Sequence, residues 1–170
     1  MKPFVLWLMG PTSSGKTTLA EYFVSRWRGE NVPVIHYDGD EVRDFFGRDH
    51  GFRPEDRMRV VGTLIHLSKK ANAAGLNVVV SALTANPEAR ASVAKELDNL
   101  VTGYVDCPIE ICAERDPKGL YAKAKTGEIE TLIGWNTPYD PPQNPDIVLS
   151  TNNQQTDELF AIANNFLCDR

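Results

Sequence analysis

An apolar run, Phe4-Val5-Leu6-Trp7-Leu8-Met9, leads straight into Gly10-Pro11-Thr12-Ser13-Ser14-Gly15-Lys16-Thr17, and a helical pattern opens at Thr17. The octet is a full match to G-x-x-x-x-G-K-[ST], and strand–loop–helix is the context in which that pattern cradles phosphate. Its glycines let successive backbone N–H groups converge on an anion, and the helix N-terminus adds partial positive charge. Residues Gly10, Pro11, Thr12, Ser13, Ser14, Gly15, Lys16, Thr17 and Thr18 are therefore expected to hold a nucleoside triphosphate. Lys16 would reach the terminal phosphates, and the Thr17 hydroxyl would ligate Mg²⁺. A chance Gly/Ser turn could match the octet, but it would not explain the flanking strand and helix.

The rest of the chain alternates strand and helix signals. Thr17–Arg28 places Leu19, Tyr22, Phe23 and Trp27 near helical spacing, and Gly29 ends it. Val32–Tyr37 reads as a short strand. Asp56–Ala74 reads as a long helix with a buried stripe of Val60, Val61, Leu64, Ile65 and Leu67, capped by Gly75. Leu76–Leu83 is nearly all apolar, as in the centre of a parallel sheet. Asn86-Pro87 reads as N-cap and first helical residue, and Pro108 as the first residue of a later helix after a strand at Leu100–Asp106. Ile147–Leu149 and an amphipathic helix bearing Leu159, Phe160, Ile162, Ala163, Phe166 and Leu167 close the chain. Residues 116–145 carry five prolines and many turn formers, a composition that fits either a linker or a functional lid. The pattern predicts one α/β domain over residues 1–170: a doubly wound parallel sheet of about five strands, flanked by helices, with a lid. Ligands should sit beyond the carboxyl ends of its strands.

Composition narrows the partners. A net charge of −5 argues against nucleic acid, which wants a basic face. No apolar run approaches a membrane span, and no signal-peptide pattern opens the chain. Cys107, Cys112 and Cys168 are odd in number and lack a paired CxxC motif. They read as reduced thiols of a cytoplasmic protein, with metal ligation by Cys107 and Cys112 the weaker alternative. His36, His50 and His66 are too dispersed for a metal site.

A second site lies at Tyr37-Asp38-Gly39-Asp40, followed by Arg43. At the carboxyl end of a parallel strand, these two carboxylates share a rim with the phosphate loop. One can accept a proton from a substrate hydroxyl while Lys16 holds the γ-phosphate in line. The other can ligate Mg²⁺. Asp38, nearer the strand end, is the preferred base and Asp40 the preferred second metal ligand, with the reverse assignment open. A nucleotide-binding switch is disfavoured, because both carboxylates are present and the guanine-reading Asn-Lys-x-Asp signature is absent.

These segments resemble the adenylylsulfate kinase family. The resemblance rests on the phosphate loop, Asp38-Gly39-Asp40-x-Val42-Arg43, Gly51-Phe52-x-x-Glu55-Asp56-Arg57, and Arg115-Asp116-x-Lys118-Gly119-Leu120-Tyr121-x-Lys123-Ala124. Gly127-Glu128-Ile129 and Pro138-Tyr139-Asp140-x-Pro142 extend it. It implies ATP-dependent phosphorylation of the ribose 3′-hydroxyl of adenosine 5′-phosphosulfate, with residues 116–134 as a mobile lid and, since the family is often dimeric, a homodimer. Carried over residue by residue, it implies that Arg43 and Arg57 hold the acceptor's anionic groups and Phe52 stacks on its base. Lys118, Gly119 and Leu120 would line the acceptor, and Arg115 the ATP. No sulfurylase domain is expected in a chain of this length.

The departures from the family pattern fall on the acceptor side. Val60-Val61-Gly62-Thr63 stands where the family has Asn-Ile-Arg-Arg, Thr84-Ala85-Asn86-Pro87 where it has Ile-Ser-Pro-Tyr, and Leu132 where it has an aromatic wall. Losing a polar partner and a stacking surface each costs about 1–3 kcal/mol, enough to move specificity. The alternative acceptor is therefore another nucleotide with a free ribose hydroxyl, such as a cytidine diphosphate derivative (the phosphoramidate), for which a kinase resembling this family exists.

Overall fold

All five residues of the first strand, β1 (Val5–Met9), are buried, because it runs up the middle of a sheet with a neighbour on each side. The computed structural model describes residues 3–47 and 53–170. After β1 come α1 (Lys16–Gly29), β2 (Val34–Asp38), α2 (Gly39–Phe45), α3 (Pro54–Ala73), β3 (Asn77–Ser81), α4 (Pro87–Glu96) and β4 (Leu100–Asp106). The chain closes with α5 (Ile109–Arg115), α6 (Leu120–Lys125), β5 (Ile147–Ser150) and α7 (Thr156–Cys168). The strand order is β2-β3-β1-β4-β5, and every pairing is parallel. This is the doubly wound sheet expected from the alternation.

Successive side chains of β1 point to opposite faces and meet different helices. Leu6 and Leu8 join Phe23, Trp27 and Phe160 in a core that α1 and α7 cover. Val5, Trp7 and Met9 join Val61, Leu64 and Val93 under α3 and α4. Helix ends follow their sequence signals. The Asn86 side chain accepts from the N–H groups of Glu88 and Ala89, with Pro87 in the first turn. Gly75 takes φ +84° just beyond the Ala74 cap of α3, a conformation that favours glycine.

The structure corrects several boundaries. Leu67 is only half-buried, and Ser68 takes the buried position on its turn. Pro108 is the residue before α5 rather than its first. Helix α3 starts at Pro54, and β1 and β3 are shorter than their apolar runs. Strand β2 lies at Val34–Asp38 rather than Val32–Tyr37, β4 keeps its expected bounds and β5 extends to Ser150. Helix α2 had no periodic signal, because seven residues are too few to show one. Residues 116–145 are not an open linker. They carry α6 and pack on a small core of Cys107, Cys112, Tyr121, Ala124 and Leu132. Cys107 and Cys112 are buried free thiols and Cys168 an exposed one. Among the described residues, no helix is long and apolar enough to cross a membrane.

Candidate active site

The phosphate loop turns directly over β4. A Cβ on Gly10 would stand 2.5 Å from the Val105 carbonyl oxygen, so no larger residue fits without moving backbone. Ser13 (φ +60°) and Gly15 (φ +94°) put two left-handed residues into the turn, the first at a cost that the surroundings must offset. Those surroundings are visible. Tyr121 Oη donates to the Thr12 carbonyl at 2.8 Å, and Thr151 Oγ1 donates to the Ser14 carbonyl at 2.8 Å. Lys16 Nζ folds back to donate to the Pro11 carbonyl at 2.7 Å. Burial pushes the Lys16 ammonium down to about 8, against the pull of Asp40, Cys112 and Asp38, so it is still cationic at neutral pH. Gly10→Ala should lower folding stability by about 1–3 kcal/mol, the cost of overpacking, read as a shift of the urea midpoint. An unchanged midpoint would mean the loop yields freely.

The two carboxylates after β2 are in different surroundings. Asp38 is 5% exposed and accepts from three donors: Thr17 Oγ1 at 2.7 Å, Ser81 Oγ at 2.6 Å and the Asp40 N–H at 2.8 Å. Burial alone would raise its pKa, but these hydrogen bonds more than offset it and hold the carboxyl below its ordinary value. The last of the three makes Asp38 the N-cap of α2. His36 Nε2 lies 2.8 Å from Ser81 Oγ, and since that hydroxyl donates to Asp38, the network assigns the imidazole as its donor. Asp40 instead reaches the open side of the rim and pairs with Lys118 at 2.5 Å. Burial works against the Lys118 charge, and the bond to Asp40 outweighs it, leaving its pKa above the ordinary value. Thr17 and Asp38 are hard oxygen donors side by side at the loop, the donor chemistry that suits Mg²⁺.

One cavity of about 710 Å³ joins these groups. Thr12, Ser13, Gly15, Lys16, Thr17 and Thr18 line it from the loop and the start of α1, with Asp38 from the end of β2, Asp40 and Arg43 from α2, and Arg57, Val60 and Val61 from α3. Arg115, at the end of α5, and Lys118, Leu120 and Leu132 from the segment after it close the cavity. Burial, then the neighbouring Arg43, lowers the pKa of Arg57, so two guanidiniums face one region, an arrangement suited to an anion. The Arg115 fork donates to Thr151 Oγ1 at 3.2 Å and to its carbonyl at 2.9 Å, beside Gly15. Four expected contacts do not line the cavity. Gly10 and Pro11 shape the loop from below, Ser14 is fully buried, and Gly119 is the left-handed residue before α6 (φ +66°). Phe52 lies outside the described residues. Trp135 is packed edge-on to Tyr121 and is not part of the wall. Among the described residues, no cluster of three or more His, Cys, Asp or Glu side chains could hold a metal ion.

Sequence reasoning missed Ser81 and Thr151. Ser81 is the β3 partner of Asp38 in the parallel register, a relation visible only once β2 and β3 are known to be neighbours. Thr151 follows β5, and its role depends on the loop it touches. A model of the family described as adenylylsulphate kinase matches residues 2–150. The chain belongs to that family. An adenylyl-sulfate kinase of Oceanobacillus iheyensis is 36% identical over 99% of this chain and 86% of its own length, and one of Halothermothrix orenii is 34% identical over 92% and 85%. The structure of the Mycobacterium tuberculosis APS kinase in complex with AMPPNP and APS superposes with a TM-score of 0.91 at 31% identity, covering 98% of each chain. This member of the family has a five-stranded parallel core carrying the loop at the carboxyl end of β1.

Proposed function

We propose that this chain transfers the γ-phosphoryl group of ATP to the ribose 3′-hydroxyl of adenosine 5′-phosphosulfate, giving 3′-phosphoadenosine 5′-phosphosulfate and ADP. The observation that carries this reading is the facing of two carboxylates and the phosphate loop across one cavity, with Thr17 hydrogen-bonded to Asp38. The loop and Arg115 hold the donor phosphates. Arg43 and Arg57 attract the acceptor's phosphosulfate, with Lys118, Leu120 and Leu132 around the rest of the nucleotide.

Asp38 and Asp40 take the reverse of the roles expected from the sequence. Asp38 already accepts three hydrogen bonds and sits against Thr17, so it belongs with Thr17 on the Mg²⁺ side. Asp40 is the better base, because Lys118, its cation partner among the described residues, comes from residues 116–145 and can leave when substrate arrives. Thr17 and Asp38 would hold Mg²⁺, which would supply charge neutralisation of the donor phosphates. Asp40 then accepts the 3′-hydroxyl proton as that oxygen attacks the γ-phosphorus in line and the bond to ADP breaks, while Lys16 neutralises charge on the transferred group.

Leu132 is 8% exposed and Val60 4%, so aliphatic carbon walls the acceptor half. That favours a second reading in which the acceptor is a cytidine diphosphate derivative. Steady-state transfer from ATP to both acceptors separates them. The expected result is a higher kcat/KM on adenosine 5′-phosphosulfate. The opposite order would establish the second acceptor, and ATP consumption without transfer to either would overturn the kinase reading.

A further inference from the structure

Thr84 lies three residues past β3 with φ +41°, a backbone region that is costly for a β-branched residue and persists only when neighbours hold it. Two neighbours do so. Trp7 Nε1, from the opposite side of the turn, donates to Thr84 Oγ1 at 2.9 Å. Arg90, on α4, donates through Nε to the Thr84 carbonyl at 2.8 Å. Thr84, Ala85 and Asn86 line the cavity on its acceptor side, yet Arg90 itself does not.

The same guanidinium reaches a second segment. Its NH2 donates to the Asp140 carbonyl at 2.5 Å, and its carbon lies 5.5 Å from the centre of the Tyr139 ring, which stacks on Tyr104 at 6.3 Å and 7°. From there the chain leads back to the other acceptor wall. Thr137 bridges to Ile133, and the Gly134 N–H donates to the Thr137 carbonyl at 2.7 Å. Leu132 and Ile133 line the same cavity as the Thr84 turn. One side chain outside the cavity therefore ties the Thr84 turn to the Tyr139–Asp140 segment, which leads through Thr137 to the second wall.

We propose that Arg90 is a positioning residue that sets the spacing of the Thr84–Asn86 wall and the Leu132–Ile133 wall, and so governs acceptor binding without touching substrate. The proposal rests on the kinase reading above. Only an arginine fork can give two diverging N–H donors and a planar face for Tyr139, so charge alone should not suffice.

The test uses the full chain with Arg90→Met and Arg90→Lys, measured by steady-state kinetics and by hydrogen exchange of the nucleotide-free protein. In Arg90→Met, KM for adenosine 5′-phosphosulfate should rise by about ten- to a hundredfold, with kcat and the KM for ATP each within about threefold, because the donor half is untouched. Arg90→Lys should recover little of the loss. Amides of 83–86 and 131–140 should lose protection together while those of 10–18 keep theirs. Equal rises in both KM values, full recovery by lysine, or loosening of only one wall would overturn the proposal. If the parent protein transfers nothing to adenosine 5′-phosphosulfate, the assignment of that acceptor fails. The exchange pattern still decides whether Arg90 couples the walls.

Discussion

Asp40→Asn should lower kcat by about 10²–10⁴ while leaving the KM for ATP within a few-fold, the signature of losing a general base. Its isosteric amide keeps the shape of the rim but cannot take the hydroxyl proton. The Lys118 partner loses its charge pairing, which is exposed on both sides and contributes little to stability. Asp38→Asn should behave differently. It replaces a carboxylate that three donors surround, so nucleotide affinity and folding stability fall together. The Asp38 carboxyl is held below its ordinary value in the folded state. Its contribution is therefore complete above the ordinary carboxylate range, near 4, and is lost as pH falls through the lower folded value. Steady-state kinetics and denaturation of the two variants side by side decide the roles. An Asp38→Asn enzyme that binds ATP normally but turns over slowly would return the base to Asp38.

Lys16→Ala should reduce phosphoryl transfer by about a thousandfold or more, since the ammonium is a preorganised positive charge where negative charge gathers in the transition state. The fold should survive. Among the described residues the Lys16 amine anchors to the Pro11 carbonyl and, weakly at 3.5 Å, to Ser14 Oγ, while Tyr121 and Thr151 brace the loop independently. The measurement is turnover at saturating ATP, with far-ultraviolet circular dichroism as the control for folding. Retention of more than about a tenth of the parent rate would remove Lys16 from the transition state.

What the sequence made legible was local. The phosphate loop, the strand before it and the helix ends at Asn86 and Gly75 are decided by neighbours a few residues apart; the strand forms at Val5–Met9, Asn86 is the N-cap and Gly75 follows the C-cap Ala74. Assignment of the two aspartates was not local. It turns on Thr17, 21 residues away, and on Ser81, 43 residues away, whose hydroxyls converge on Asp38 only after β2 and β3 pair. Leu67 and Ser68 show the same limit at smaller scale. Periodicity names a face, but the contour of α4 and the sheet decides which turn of α3 sinks deepest. The core beneath residues 116–145 was hidden because its apolar members come from α5, α6 and Leu132, separated by polar turns.

The placing of β1 in the middle of the sheet has an engineering consequence. On one flank, β2, α2, α3, β3 and α4 form an uninterrupted stretch of chain, residues 34–96, and with residues 116–145 it supplies the groups assigned to the acceptor. Donor-handling groups come from residues 10–18, which follow β1 itself, and from Arg115 and the turn after β5 on the other flank. Acceptor preference is thus carried largely on a cassette that a single splice at each end could exchange, provided that the incoming stretch brings its own carboxylates in the places of Asp38 and Asp40. Success would depend on the stitches across the seam: a hydroxyl acceptor for the Trp7 indole, an aspartate for Thr17, and a fork at position 90 long enough to reach the Asp140 carbonyl.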